Sequence, residues 1–385
     1  MDFDFLSPVA NIVLAHNELL PKQTLGKTIK IHSEKSGLPD ISGAKIAIIG
    51  IDETRNAVVK PKDKINLSSI RIELYKLFIG NWDHTMIDLG DINRGETVND
   101  TYYAVRALTS ELLRHKIIPV FIGGSQDITY ATYRAYDPIN QMVNIVSVDS
   151  KFDFGAADEL ISSQSYMSKI IMEEPTNLFN FCNLGYQSYY IAQEEIDLME
   201  KLFFDSYRLG QIIDDVAIVE PVLRDADIVS IDMSSVKSSE LGSAIFNAPN
   251  GFTGREICAI SRYAGISDKV SVFGIYECDD TPQFSQLAAQ MIWYFIEGVN
   301  FRKQDYPYTS YENYAKYIVL IEEEELSFYK SNLSGRWWIE IPIIPNLNNK
   351  LKRHALLPCT HQDYVDACNE VIPERWWKAY KKTIV

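Results

Sequence analysis

A series of short apolar runs rich in β-branched residues constrains the fold of this chain more than any other feature of its sequence. The runs are nearly continuous rather than alternating, which is typical of strands in a parallel sheet whose two faces are both covered by helices. We therefore predict buried parallel strands at Lys45 to Ile51, Thr85 to Leu89, Ile117 to Ile122, Val143 to Val148, Phe179 to Leu184, Asp227 to Ile231 and Lys269 to Tyr276.

Helical patterns separate these runs. Asn99 to His115 and Gln283 to Val299 each place their large apolar side chains on one stripe. Thr253 and Glu256 have the spacing of a capping box that opens a helix through about Tyr263. This alternation predicts an α/β fold, a three-layer α/β/α domain with a doubly wound, mostly parallel sheet, and a site at the carboxyl ends of its strands.

The alternation holds for only part of the chain, and it sets the predicted domains. We expect an N-terminal extension at 1–42, the main domain at 43–300 and a C-terminal appendage at 301–385 that packs on the main domain. Within the appendage, Tyr317 to Leu320 resembles a strand, and the remainder predicts a strand pair with a helix.

The appendage is rich in tryptophan. It contains Arg336-Trp337-Trp338 and Arg375-Trp376-Trp377, which hold four of the six tryptophans of the chain. Paired tryptophans beside arginine suit an interaction surface. They equally suit a seam that seals the appendage to the main domain, and this second interpretation is the one we favour.

The charge and cysteine content exclude several classes of function. A formal net charge of -15 opposes binding to nucleic acid or anionic membranes, which are bound through clustered Lys and Arg. The basic runs Lys350 to His354 and Lys378 to Lys382 are predicted to be solvated surface. Five cysteines without a C-x-x-C pair suit core positions in a reducing compartment, and no apolar stretch reaches the length of a membrane span. We expect a cytoplasmic protein whose partner is a protein or a small ligand.

Polar residues are concentrated directly after three of the predicted strands. The segments are Gly123 to Asp127, Asp149 to Asp153 and Ser230 to Ser234. Because carboxyl ends of adjacent parallel strands meet at one edge, their side chains are expected to share one pocket. An acid after a strand also serves as an ordinary helix cap, so each segment alone is weak evidence.

In this order and spacing, the three segments resemble the ureohydrolase superfamily of arginase, agmatinase and formimidoylglutamase, whose patterns are G-G-D-H-S, D-A-H-x-D and S-x-D-x-D. The resemblance covers roughly residues 43 to 300. Further matches are Ser68 to Arg71 before Ile87 to Asp91, Pro249 to Thr253 with Glu256, and Glu277. Phe152 and the strand end Leu184 to Ser188 are most similar to formimidoylglutamase.

The departures from the family pattern concern its metal ligands. The resemblance implies two Mn ions held by two histidines and four aspartates. Here those positions hold Gln126, Asp149, Lys151, Asp153, Asp232 and Ser234. None of the six histidines of the chain lies within these segments.

Lys151 is the most consequential substitution, because a protonated ammonium cannot coordinate a metal. We hypothesise that it forms ion pairs with Asp149 and Asp232 in place of one ion. Hydrolysis of a guanidine or formimidoyl carbon requires hydroxide, which a metal-bound water supplies at neutral pH and an ammonium does not.

The resemblance therefore implies a catalytically degenerate ureohydrolase used as a binding or scaffold protein, without a resident metal, and self-associating like its relatives. One alternative is a formimidoylglutamase-like hydrolase with a single Mn or Mg ion on Asp149, Asp153 and Asp232, together with Gln126. In that alternative, Glu277 orients the amidine or guanidine substrate, as the matching family carboxylate does. A second alternative is an amino-acid sensor that binds its ligand without turnover. Tyr166 is a hydrogen-bond donor for any of these pockets, and it is a poor proton carrier at neutral pH.

Overall fold

The computed structural model of the chain describes residues 3–59, 66–139, 141–156, 159–307, 311–322, 324–342 and 355–384. Within these residues a ten-stranded sheet forms the centre of the molecule. Its strands are β1 (Leu6–Ser7), β2 (Lys30–Ile31), β3 (Ala44–Ile51), β4 (Thr85–Ile92), β5 (Ile118–Ile122), β6 (Val143–Val148), β7 (Leu178–Tyr186), β8 (Asp205–Arg208), β9 (Ile228–Asp232) and β10 (Val272–Tyr276).

The strand order is β1-β4-β3-β5-β10-β9-β6-β7-β8, and β2 also pairs with β4. Every pair is parallel except β1 with β4. The chain leaves β5 toward one side of the sheet and returns through β9 and β10, so β5, β10, β9 and β6 lie side by side. The predicted mostly parallel, doubly wound sheet is confirmed.

Helices cover both faces of this sheet. Residues Ile46 and Ile48 of β3 pack into one apolar cluster, whereas the intervening Ala47 and Ile49 pack into another on the opposite face. Burial on both faces explains why the strand sequences are continuously apolar. The helices are α1 (Asn11–Glu18), α2 (Leu25–Thr28), α3 (Leu67–Lys76), α4 (Val98–Arg114), α5 (Ile128–Arg134), α6 (Tyr166–Met172), α7 (Gln193–Lys201), α8 (Leu209–Asp214), α9 (Val219–Arg224), α10 (Ser238–Leu241), α11 (Gly254–Ile266) and α12 (Pro282–Asn300).

Each of the seven predicted strands corresponds to a strand of this sheet, and the two predicted long helices correspond to α4 and α12. The predicted capping box is present at the start of α11, where the Thr253 amide donates to Glu256 Oε2 at 2.7 Å. In the described part of the chain, no helix has both the length and the apolar character needed to cross a membrane.

The C-terminal residues form a second, antiparallel sheet in the order β11-β12-β13-β14. The predicted strand pair with one helix is thus too small, because the tryptophan-rich pieces themselves form a strand and a helix. The elements are β11 (Tyr314–Ile321), β12 (Glu324–Ser331), β13 (Trp337–Glu340), β14 (Leu356–Cys359), α13 (His361–Cys368) and α14 (Glu374–Ile384). The boundaries at residues 42 and 300 stay predictions.

The tryptophans of this appendage are mostly packing residues. Trp338 and Trp376 are fully buried, and the Arg224 guanidinium of α9 lies 4.6 Å from the Trp338 ring centroid. Arg224 also donates to the carbonyls of Trp337 and Cys359, both at 3.0 Å. These contacts agree with a seam that joins the appendage to the main domain.

The two basic runs have different outcomes. Lys350 to His354 lies outside the described residues. For the second run the prediction of solvated surface is wrong, because Lys378 Nζ lies 3.5 Å from Asp205 Oδ1 and Lys382 donates to Asn180 Oδ1. Both lysines therefore help to hold α14 against the β7 and β8 side of the main sheet.

Candidate functional site

Four adjacent strands bring the predicted site residues to one edge of the main sheet. Gln126 follows β5, Glu277 follows β10, Asp232 ends β9, and Asp149 and Asp153 follow β6. All five side chains are buried. The convergence predicted from the strand ends is therefore observed, at the point where the strand order reverses.

The turns that aim these side chains need unusual backbone conformations. Gly123 and Gly124 have φ of 91° and 75°, and a Cβ on Gly123 would lie 2.8 Å from the carbonyl oxygen of Ile51. Asp153 and Glu277 also have positive φ, 56° and 53°, although neither is glycine. Such conformations cost roughly 1–3 kcal/mol each and cluster at functional sites.

Gln126 lies at the centre of the site. Its amide satisfies all of its neighbours when the nitrogen faces the carboxylates, which only accept hydrogen bonds. The nitrogen then donates to Asp149 Oδ2 at 2.8 Å and to Asp153 Oδ2 at 3.2 Å, and the oxygen accepts from the hydroxyls of Ser147 and Tyr166 at 3.0 and 3.3 Å. A side chain at a family histidine position thus acts here as a hydrogen-bond donor to two acids.

Burial raises the pKa of every acid in the site. For Asp153 the raised pKa comes first from desolvation and then from repulsion by Asp149, with which it also shares a hydrogen bond. Desolvation and then Asp149 raise the pKa of Asp232, and desolvation raises the pKa of Asp149. Desolvation raises the pKa of Glu277 to about 7. The causes are therefore burial and the mutual repulsion of acids that lie side by side.

Backbone amides offset part of this cost. The Lys151 amide donates to Asp149 Oδ1 at 2.8 Å, and the Ser234 amide donates to Asp232 Oδ1 at 2.6 Å. The backbone amide of Gln126 likewise donates to Glu277 Oε1 at 3.1 Å. Ser234 thus contributes through its backbone at a position where the family pattern has a carboxylate ligand.

The side chain of Lys151 does not form the ion pairs predicted for it. Its ammonium lies 5.8 Å from the Tyr190 ring centroid, and within the described residues no acid lies within 4.0 Å of it. Its charge still lowers the pKa of Asp149 and Asp153 through space. The Gln126 side-chain amide and the Lys151 backbone amide donate to these acids, while the ammonium lies at the partly exposed rim.

Several residues of the site were not singled out by their sequence. Ser147 is a polar residue within the apolar strand β6, and that contrast was the available signal. Tyr190 follows β7 in a short 3-10 turn and gave no signal. Tyr166, which was predicted to be a donor, is buried against Gln126.

Comparison with known proteins decides the family. The family model described as "Arginase family" matches residues 46–297, which is more than half of the chain. The chain belongs to the arginase family. No curated protein sequence matches it significantly.

Solved structures of arginase-family enzymes share this fold. Formiminoglutamase of Trypanosoma cruzi with Mn2+ has a TM-score of 0.63 at 19% identity over 72% of this chain and 99% of that one. Formimidoylglutamase of Bacillus subtilis has a TM-score of 0.61 at 18% identity over 76% and 100%. Agmatine ureohydrolase of Thermoplasma volcanium has a TM-score of 0.55 at 17% identity over 77% and 100%.

The donor set of this chain does not fit the pair of Mn ions that the arginase family implies. An amide nitrogen points at the carboxylates from the first histidine position, an ammonium at the rim replaces the second, and Ser234 replaces a carboxylate. Across the described ranges, no group of three or more His, Cys, Asp or Glu side chains is arranged to hold a metal ion.

Proposed function

We propose that this arginase-family chain is a binding protein that has lost metal-dependent hydrolysis, and that its strand-end acids take a small cationic amidine or guanidine. The hydrogen bonds from the Gln126 amide to both Asp149 and Asp153 carry this proposal. They direct a hydrogen-bond donor at the two carboxylates that would otherwise coordinate a metal ion.

The composition of the site supports a cationic ligand. Asp149, Asp153, Asp232 and Glu277 are buried together, and no ion pair within 4.0 Å joins them to a Lys or Arg of the described residues. A buried acid without a cationic partner is costly, and a planar amidinium or guanidinium matches a carboxylate through two parallel hydrogen bonds.

The test of binding is calorimetric titration with formimidoylglutamate, arginine and agmatine, each with a parallel assay of turnover in the presence of Mn2+. We expect at least one ligand to bind, the Asp232→Asn variant to bind it at least tenfold more weakly, and none to be hydrolysed above background. The exposed Asp214→Asn is the matched control and is expected to bind like the unmodified chain. Turnover well above background, or the absence of binding by all three, would contradict the proposal.

A second experiment tests the loss of the metal site directly. The triple variant Gln126→His, Lys151→His and Ser234→Asp restores all six family ligands. We expect it to retain Mn2+ after desalting, whereas the unmodified chain retains none, as measured by elemental analysis. Two equivalents of Mn in the unmodified chain would overturn the proposal, and a single equivalent of Mn or Mg would favour the one-ion hydrolase instead.

A further inference from the structure

Most sheet edges of this protein are protected from pairing with another strand. At one side the main sheet ends in β1 and β2, which have two residues each, and at the other in β8, the polar strand Asp205–Arg208. The β14 edge of the second sheet is covered by arginines, since Arg224 donates to the Cys359 carbonyl and Arg375 to that of Pro358. Short, polar or covered edges are the usual means of preventing edge-to-edge association.

The β11 edge lacks these protections. It pairs with β12 over eight consecutive residues without a register shift, it contains no proline, and no strand of the described residues pairs with its other side. Exposed residues alternate along it, and the apolar ones among them are Ile318, 56% exposed, and Leu320, 71% exposed. A long, regular, apolar edge of this kind is a template for another strand.

The sequence of β11 is complementary to itself in one antiparallel register. We propose that β11 pairs with β11 of a second copy of this chain, about a two-fold axis at Val319. In this register Ile318 of each copy lies opposite Leu320 of the other. Lys316 of each copy lies near Glu322 of the other, the first turn residue after the strand end Ile321, so two apolar pairs are flanked by two contacts between opposite charges.

The charge distribution of the β11-β12 hairpin favours this arrangement. Its tip carries Glu322, Glu324 and Glu325, and its base carries Lys316 and Lys330. Antiparallel pairing places the acidic tip of one copy against the basic base of the other, whereas parallel pairing would place like charges together. With a net charge of -15 per chain, two copies repel at long range, so local complementarity is required for association.

A second copy fits this edge better than an unrelated extended peptide. One strand supplies both halves of every pair, which is the property of a two-fold interface, where the same patch serves both partners. The proposal concerns the outer edge of the appendage and is independent of ligand binding at the strand ends of the main sheet.

The test is the mass of the full chain in sedimentation equilibrium, before and after charge reversal. We expect the unmodified chain to assemble through this edge, with at least twice its single-chain mass of 43.9 kDa. Lys316→Glu brings glutamates of the two copies close together, Glu322→Lys does the same with lysines, and each is expected to halve the assembled mass. The double variant restores opposite charges and is expected to restore the mass.

Two further variants separate the edge from a general effect of charge. Ile318→Lys is expected to halve the mass, whereas Leu333→Lys, at an apolar residue exposed in the β12-β13 turn, is expected to leave it unchanged. Thermal unfolding of each variant shows that the fold is retained. A single-chain mass for the unmodified protein overturns the proposal. An assembly that withstands Ile318→Lys and both charge reversals, or a double variant that fails to restore it, also overturns it.

Discussion

Two groups of buried acids lie in the same sheet and are stabilised in opposite ways. In the first group, Asp88 of β4 is fully buried and accepts from Arg71 Nε at 2.8 Å and from the Tyr75 hydroxyl at 2.8 Å. Arg71 also contacts Asp91 Oδ1 at 2.6 Å. In the second group, the strand-end acids around Gln126 accept hydrogen bonds from neutral donors, and no Lys or Arg of the described residues forms an ion pair with them.

The difference separates the acids of the family pattern that stabilise the fold from those that form the candidate site. The guanidinium of Arg71 balances its acids internally, so that group needs no ligand. Gly90 allows this packing, because a Cβ there would lie 1.9 Å from the Ser7 carbonyl oxygen and its φ is 81°. The strand-end acids are equally buried, but no Lys or Arg of the described residues forms an ion pair with them.

The largest change in stability is expected when Arg71, the cation that balances Asp88, is replaced. Arg71→Met leaves Asp88 buried without its cation and is expected to lower the free energy of unfolding by roughly 3–5 kcal/mol. The exposed Arg255→Met is the matched control, with an expected change below about 0.5 kcal/mol. Urea denaturation of both variants measures the difference. A loss below about 1 kcal/mol for Arg71→Met would show that the ion pair is not what stabilises β4.

The next effect is the pH dependence of the strand-end acids. Glu277 has an ordinary pKa of 4.5, and burial raises that pKa to about 7 in the folded chain. Folding therefore favours its protonated form, so its contribution is full below pH 4.5 and is lost as the pH rises through 7. The free energy of unfolding is expected to fall by up to about 3 kcal/mol over this range.

Glu277→Gln is expected to remove much of that fall, whereas the exposed Glu194→Gln should retain it. Urea denaturation at a series of pH values between 4.5 and 8 provides the measurement. An unchanged slope in Glu277→Gln would assign the pH dependence to other buried acids, such as Asp127 and Asp149, whose charges also raise the pKa of Glu277.

Replacing one acid of each group by asparagine is expected to change the stability of the chain in opposite directions. Asp153→Asn removes a charge from a cluster of like charges at a positive φ that Asn tolerates, and is expected to stabilise the chain by about 1 kcal/mol. Asp88→Asn leaves Arg71 without its main partner and is expected to destabilise the chain. Thermal unfolding of the two variants side by side measures the signs, and destabilisation by Asp153→Asn would place both groups in the same class.

The main sheet could be predicted because the burial of each central strand determines the composition of its own short sequence. Each central strand is buried on both faces and is therefore continuously apolar, as in Val143–Val148. The edge strand β8 is polar, and β1 and β2 have two residues each, so they form only because an existing edge offers them hydrogen bonds. β13 was missed because its paired tryptophans were interpreted only as a packing seam or an interaction surface and not as part of a strand.

The candidate site was predictable in its members but not in their roles. The strand-end rule placed Gln126, Asp149, Asp153 and Asp232 together, as the structure does, whereas Glu277 was added through the family resemblance. The directions of long side chains depend on residues distant in sequence, and Tyr190, which lies beside the Lys151 ammonium, comes from the turn after β7. Gln126 was identified as a lost ligand, and its donor role became visible only with both carboxylates placed.

The smallest effect is expected at Lys151, and it decides how the strand-end acids are balanced. If the ammonium replaced a metal ion within the cluster, Lys151→Met would leave buried charges unpaired at a cost of roughly 3–5 kcal/mol. The ammonium instead lies near Tyr190 at the rim and acts on Asp149 and Asp153 only through space. The change in the free energy of unfolding is therefore expected to stay below about 1 kcal/mol, and to shrink as salt is added, because exposed charges are screened. Urea denaturation at low and high salt measures both properties, with the exposed Lys201→Met as the matched control. A large loss of unfolding free energy that added salt does not reduce would indicate that the ammonium pairs with the strand-end acids. Both groups of acids would then be balanced by a cation.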